Sequence, residues 1–148
     1  MPELPEVETT RRGIEPYVNG QTVVQVVIRR ADLRQPITPN LAEIIRGQTV
    51  TSVKRRGKYL LITTVSGTLL IHLGMSGSLR ITGREKPIKK HDHVDIVLDN
   101  GRTLRFHDPR RFGLLLWTEE DPNTHPLIRR LGVEPLEEVF TGNYLHQI

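Results

Sequence analysis

Two hydrophobic periods divide the chain. Near the N-terminus Leu4, Val7, Ile14 and Val18 recur at helical spacing, so they share one face of an amphipathic helix. Pro5 falls in the first turn, where its missing N–H is least costly, and Gly13 and Pro16 lie near the expected close. Beyond residue 20 the pattern changes to short apolar or alternating runs bounded by turn residues. These predict strands over 22–28, 50–55, 59–65, 68–73, 78–82, 93–98, 103–106 and 114–118. Ser66-Gly67 and Asn100-Gly101 separate apolar runs as hairpin turns, and Asn-Gly is the stronger signal because both of its residues tolerate positive φ. A short helix is expected over 39–46, led in by Thr38 and ended by Gly47, and another over 126–131, ended by Gly132. About eight short strands with tight turns predict an α+β, β-rich fold: a two-sheet antiparallel β-sandwich flanked by a few helices.

Composition narrows the class. A chain of 148 residues suits one domain over 1–148, burying roughly 70% of its unfolded surface. It has no run of 18 apolar residues, and its N-terminus is acidic rather than basic and apolar, which argues against membrane insertion and export. There is no cysteine, which rules out disulfides and Cys-ligated zinc in these residues and is compatible with a reducing cytoplasm. The net charge of +4 is moderate, but the cations are clustered. Lys54, Arg55, Arg56 and Lys58 form one knot, Arg84, Lys86, Lys89, Lys90 and His91 a second, and Arg110 with Arg111 a third. On charge alone, solvated loops are the simpler reading; a polyanionic partner would also suit them. His91 and His93 stand at i and i+2 without further ligands of adequate pattern, so no metal site is expected. Asp108 reads as a turn residue before Pro109.

Candidate chemistry begins at the N-terminus, in Met1-Pro2-Glu3-Leu4-Pro5-Glu6-Val7-Glu8. Removal of Met1 would leave Pro2 with a secondary amine, about a tenth of it neutral at pH 7. Such an amine can add to an aldehyde-like carbon to give an iminium. Glu3 is near enough to pass a proton to a departing atom, and Glu6, three residues on, shares its helical face. Taken alone, the run also reads as a proline-rich start to a helix. Lys58 follows Gly57 at the start of an otherwise apolar strand, where an ammonium must face a groove or solvent.

Five blocks occur in order: Pro2-Glu3-Leu4-Pro5-Glu6-Val7-Glu8, Arg55-Arg56-Gly57-Lys58-Tyr59-Leu60-Leu61, His72-Leu73-Gly74-Met75-Ser76-Gly77-Ser78-Leu79-Arg80, Lys90-His91-Asp92-His93-Val94-Asp95 and Asp108-Pro109-Arg110-Arg111-Phe112-Gly113. Together with Leu131-Gly132-Val133-Glu134-Pro135-Leu136, they make the chain resemble the N-terminal half of the formamidopyrimidine-DNA glycosylases. The resemblance implies a bifunctional glycosylase and abasic-site lyase that excises oxidised purines, such as 8-oxoguanine and formamidopyrimidines, in base-excision repair. It implies Pro2 as the nucleophile at C1′, Glu3 as the acid at the sugar ring oxygen, and Glu6 as a supporting carboxylate. Lys58 would act in β-elimination or hold the phosphate beside the lesion. His91, Arg110 and Arg111 would contact DNA, while Met75, Arg110 and Phe112 would form the wedge that fills the void. The implied partner is damaged double-stranded DNA, met by a monomer in the cytoplasm.

In that family this half precedes a helix-two-turn-helix domain and a zinc ribbon held by four cysteines, which also carries an arginine that assists δ-elimination. Neither has a counterpart in this chain, so a fragment without its own cofactor is expected. One alternative is a catalytically incomplete DNA-binding fragment. Another is the endonuclease VIII type, which acts on oxidised pyrimidines and is disfavoured by Leu4 and by Met75, Arg110 and Phe112. A tautomerase using an N-terminal proline would leave the basic loops unexplained.

Overall fold

The computed structural model describes residues 4–83 and 86–129, in which eight strands form two four-stranded antiparallel sheets. The strands are β1 (Val23–Ile28), β2 (Val50–Arg56), β3 (Tyr59–Thr64), β4 (Thr68–His72), β5 (Ser78–Gly83), β6 (Asp92–Leu98), β7 (Arg102–His107) and β8 (Leu114–Thr118). One sheet has the order β1-β6-β7-β5 and the other β2-β3-β4-β8. The helices are α1 (Leu4–Val18), α2 (Leu41–Ile45) and α3 (Pro126–Arg129). This is the β-rich sandwich expected, and no described helix is long and apolar enough to cross a membrane.

The period-2 geometry of strands explains why β3 and β4 are apolar throughout. Leu60, Ile62, Leu69 and Ile71 point between the sheets, where they share a core with Val94, Ile96, Leu104 and Phe106. Alternate residues Tyr59, Leu61, Leu70 and Leu114 face the other way and close over Ile128 of α3. The second sheet is therefore covered on both faces. Helix α1 buries Val7, Ile14 and Val18, the residues its period selects, and packs on β2 and β5.

Helix α1 carries Gly13 and Pro16 in its second half and closes at buried Val18, as its period predicts, and the chain turns at Gly20, where φ is 82°. The start of α2 differs from expectation. Thr38 does not cap α2; its hydroxyl accepts a hydrogen bond from Trp117 N at 2.9 Å, tying this segment to β8. The N-cap is instead Asn40, in a left-handed conformation and without a side-chain cap bond. Gly47 ends this stretch as expected, with φ 87°. Residues 130 and 131 of the third expected helix lie outside the described residues.

Strands β5 and β6 both flank β7, so they run parallel and their connection must recross the sheet. Arg105 on the outer face of β7 holds that connection, donating from Nη1 to the carbonyls of Lys86 at 3.4 Å and Pro87 at 3.2 Å. Its Nε and Nη2 bind the Asp95 carboxylate at 2.9 and 3.1 Å, which also accepts from Arg29 Nη2 at 2.6 Å. Burial works against ionisation of Asp95, but the two guanidinium groups prevail and hold its pKa below the ordinary value.

A second carboxylate ties α1 to the sheets. Glu8 accepts from Arg11 at 2.9 Å, from Arg12 at 2.8 Å and from Arg55 Nε at 3.0 Å. The Arg55 side chain is only 4% exposed, so it depends on this partner. Hydrogen bonding from Arg11 leads the effects that lower the Glu8 pKa to about 2; burial opposes, while Arg12 and Arg55 assist. A lowered carboxylate pKa stabilises the fold above the ordinary value of 4.5, and that contribution disappears as the pH falls toward 2. Glu8→Gln is expected to lower stability at pH 7 by about 2 to 3 kcal/mol in urea denaturation, with the gap to the wild-type chain closing below pH 4. Equal stability at pH 7 would contradict this account.

Candidate functional site

Strand register brings three loops to one end of the second sheet. Arg56 pairs with Tyr59, Tyr59 with His72, and His72 with Leu114. The β2–β3 turn, the β4–β5 loop and the β7–β8 loop therefore leave from the same edge. The first is a two-residue hairpin of Gly57 and Lys58, with Gly57 at φ 60°. Lys58 thus sits in the turn rather than on the strand expected from sequence. Arg55 bonds both Glu8 and the Gly57 carbonyl, at 3.0 and 2.9 Å, so one guanidinium fixes this turn relative to α1. Glu6 is exposed in the first turn of α1. Pro2 and Glu3 lie outside the described residues.

Beside Lys58 stands His72, which the sequence reading quoted only within a block. Its ring meets Tyr59 edge-on at 4.9 Å, and Nδ1 accepts from Gly74 N at 2.9 Å. Burial first, then the charges of Arg34 and Lys58, push its pKa down to about 4. The imidazole is therefore neutral at pH 7, with its proton on Nε2, available as a donor. A histidine closing the wholly buried run Thr68–His72 was the signal that could have identified it.

The other two loops touch backbone to backbone. Gly74 has φ 66°, and a Cβ there would lie 2.6 Å from the Phe112 carbonyl carbon. A Cβ on Gly113 would lie 2.7 Å from His72 O and from the Phe106 ring. Asp108 opens the expected turn, its carbonyl accepting from Arg111 N at 3.2 Å, and is also a fully buried anchor for both loops. Its Oδ2 accepts from Gly113 N at 2.8 Å and Oδ1 from Ser76 Oγ at 3.3 Å, while its carbonyl accepts from His93 Nε2 at 2.7 Å. Outside this clamp Met75 is 46% exposed, Phe112 43%, and Arg110 is exposed between them in sequence order. Two partly exposed apolar side chains and a guanidinium on braced loops are suited to entering a base stack.

The basic knots separate into structural and available cations. Arg55 and Arg105 are buried and bound to carboxylates. Arg29, Arg30, Lys89, Lys90, His91 and Arg111 line a concavity of about 330 Å³. His91 is half-buried there, its ring 6.1 Å from that of His93 and 5.9 Å from that of His107. Partial desolvation and then Lys90 lower its pKa. Arg111, at φ 58°, donates to the exposed carboxylate of Asp32 at 3.1 Å. His93 and Asp92 serve other bonds: His93 holds the Asp108 carbonyl, and Asp92 accepts from Lys89 N at 2.7 Å and pairs with His107 at 2.8 Å. Among the described residues no group of three or more His, Cys, Asp or Glu could hold a metal ion. Arg84 lies outside the described residues.

The family model of the formamidopyrimidine-DNA glycosylase N-terminal domain matches residues 1–115. The chain is 57% identical over 145 residues to the formamidopyrimidine-DNA glycosylase of Stenotrophomonas maltophilia (strain K279a), covering 98% of this chain and 53% of that relative. It is 61% identical over 140 residues to the one from Shewanella denitrificans, covering 95% and 51%. The chain thus spans about half the length of the curated relatives it matches. Among solved structures it is similar to the Lactococcus lactis enzyme bound non-covalently to DNA containing an abasic site, with TM-score 0.78 and 30% identity over 87% of this chain and 49% of that one. A complex of the Lactococcus lactis protein with DNA containing a formamidopyrimidine-dG lesion gives TM-score 0.77 and 30% identity, over 86% and 48%.

The clamp makes a stability prediction independent of DNA. Asp108→Ala leaves Gly113 N–H buried without its acceptor and is expected to cost about 2 to 4 kcal/mol, whereas Asp32→Ala, at an exposed pair, should leave stability nearly unchanged. Urea denaturation of the two variants checks this, and equal effects would contradict it.

Proposed function

This chain belongs to the formamidopyrimidine-DNA glycosylase family, and we propose that it is the N-terminal catalytic half of a bifunctional DNA glycosylase and abasic-site lyase for oxidised purines in double-stranded DNA. The carrying observation is the convergence, through strand register, of the Lys58 turn and of the two loops that bear Met75, Arg110 and Phe112.

A base cannot be attacked at C1′ while it remains stacked, so the lesion nucleotide first leaves the duplex. Met75 and Phe112 fill the vacated space; an unbranched thioether adapts to an irregular gap and a phenyl ring separates base steps. Arg110 offers paired donors to the orphaned opposite base. With Met1 removed, the Pro2 nitrogen attacks C1′ and the bond to the damaged base breaks. Glu3 gives its proton to the sugar ring oxygen, opening the ring to an iminium between Pro2 and C1′. Loss of a proton from C2′ then expels the 3′ phosphate. Lys58 holds the neighbouring phosphate or assists this elimination, with the neutral Nε2–H of His72 beside it. Glu6 supports the helix start electrostatically, and His91 with Arg111 takes flanking phosphates. The family's zinc belongs to a four-cysteine ribbon, and these 148 residues contain no cysteine to ligate it.

A second reading, a DNA-binding fragment without complete chemistry, draws support from the half-length match to the curated relatives. Borohydride trapping on a duplex with an abasic site separates the two, using a sample whose intact mass shows Met1 removed. A retained Met1 would make the Pro2 nitrogen an amide with no nucleophilic lone pair. A covalent adduct on the N-terminal peptide is expected. A bound duplex with no adduct would favour the binding fragment.

Arg110 carries its own prediction. Arg110→Ala should weaken binding by about 1 to 3 kcal/mol for the preferred opposite base and level the preference among the four. Fluorescence anisotropy across four duplexes that differ only at that base reads this out, and an undiminished preference would remove Arg110 from the role.

A further inference from the structure

The wedge side chains stand on two separate connections, yet one hydroxyl joins their outer parts. Ser76, next to Met75, donates from Oγ to Oδ1 of Asp108 at 3.3 Å and accepts from the backbone N of Arg110 at 3.4 Å. The second Asp108 oxygen holds Gly113 N at 2.8 Å, immediately after Phe112. Gly74 and Gly113 already press the roots of the loops together, so the Ser76 link lies further out, between the residues that bear Met75 and Arg110.

Resting on the wedge reading above, we propose that Ser76 is a positioning residue that couples insertion of Met75 to reading of the opposite base by Arg110. Its two hydrogen bonds are long and individually weak, but they share one oxygen and one carboxylate. A shift of the Met75 loop therefore moves the acceptor of the Arg110 backbone N–H. The two loops enter DNA as one body, and the opposite-base preference depends on a hydroxyl that bonds neither wedge side chain. Removing it frees the Arg110 backbone without opening the core, because the glycine contacts and the Asp108–Gly113 bond remain.

The test uses this chain with Met1 removed, as wild type, Ser76→Ala, Ser76→Thr, Arg110→Ala and the Ser76→Ala/Arg110→Ala pair. The probe is a duplex carrying a tetrahydrofuran abasic analogue opposite each of the four bases. Ser76→Ala should shrink the spread of Kd across opposite bases by about threefold or more, while Ser76→Thr, which keeps the hydroxyl, preserves it. The paired variant should be no more level than Arg110→Ala alone, since both changes act on one interaction. The urea midpoint of Ser76→Ala should fall less than that of Asp108→Ala, since the Gly113 bond remains, and Ser76→Thr should restore it; a merely structural serine would weaken binding to all four duplexes alike and leave the spread intact. The proposal is overturned if Ser76→Ala keeps the wild-type spread, if the paired effects add, or if Ser76→Thr loses the preference as fully as alanine. A wild-type chain that binds the four duplexes equally, or none of them, would overturn the wedge reading itself and this coupling with it.

Discussion

A carboxylate with no solvent exposure must be met by donors, and at Asp108 those donors come from two different loops. An uncompensated buried charge costs several kcal/mol, so the loops are held wherever Gly113 N–H and Ser76 Oγ can reach it. The close backbone approach of Gly74 to Phe112 depends on this, and so does the outward position of Phe112. Glu8 does the same on the neighbouring side. By engaging Arg55, which also holds the Gly57 carbonyl, it fixes α1 against the turn that carries Lys58. A basic surface is thus organised from beneath by acids.

The same division explains why net charge is a poor guide to the interface. Arg55 belongs to a basic cluster of the sequence and Arg105 stands alone in β7, yet each is buried and bound to a carboxylate and to backbone carbonyl oxygen. A planar guanidinium with five donors can brace several acceptors at once, which a lysine ammonium does less well. Among the cations left at the surface, Lys86 and Lys89 sit on backbone that Arg105 and Asp92 hold in place. Mobile lysines on a braced loop suit phosphate contacts, which demand charge more than fixed geometry.

The strands were legible because alternation and Asn100-Gly101 are local signals, and each expected strand lies within about a residue of its observed bounds. The misses share a cause in distant partners. Thr38 looked like a helix cap but bonds Trp117. Asp108 is the turn residue that its place before Pro109 predicts, but nothing local shows that Gly113 and Ser76 also return to its carboxylate. The candidate site could be named residue by residue through resemblance, whereas its assembly could not be read. The register from Tyr59 through His72 to Leu114 decides which loops share an edge, and periodicity alone cannot supply it.

An apolar residue at a loop tip ordinarily folds back onto the nearest core, so Met75 and Phe112 need a reason to stay partly in water. The contact beneath them supplies one. Gly74 lies directly against the Phe112 and Gly113 backbone, and Gly113 against His72 O and the Phe106 ring, so there is no cavity under either tip to receive a side chain. The hydrogen bonds to Asp108 prevent the loops from parting to make one. Close packing at the root thus produces exposure at the tip. On the wedge reading proposed above, such tips would be rigid before a duplex arrives, and rigidity is what unstacking a base step requires, since a yielding loop would give way before the stack did.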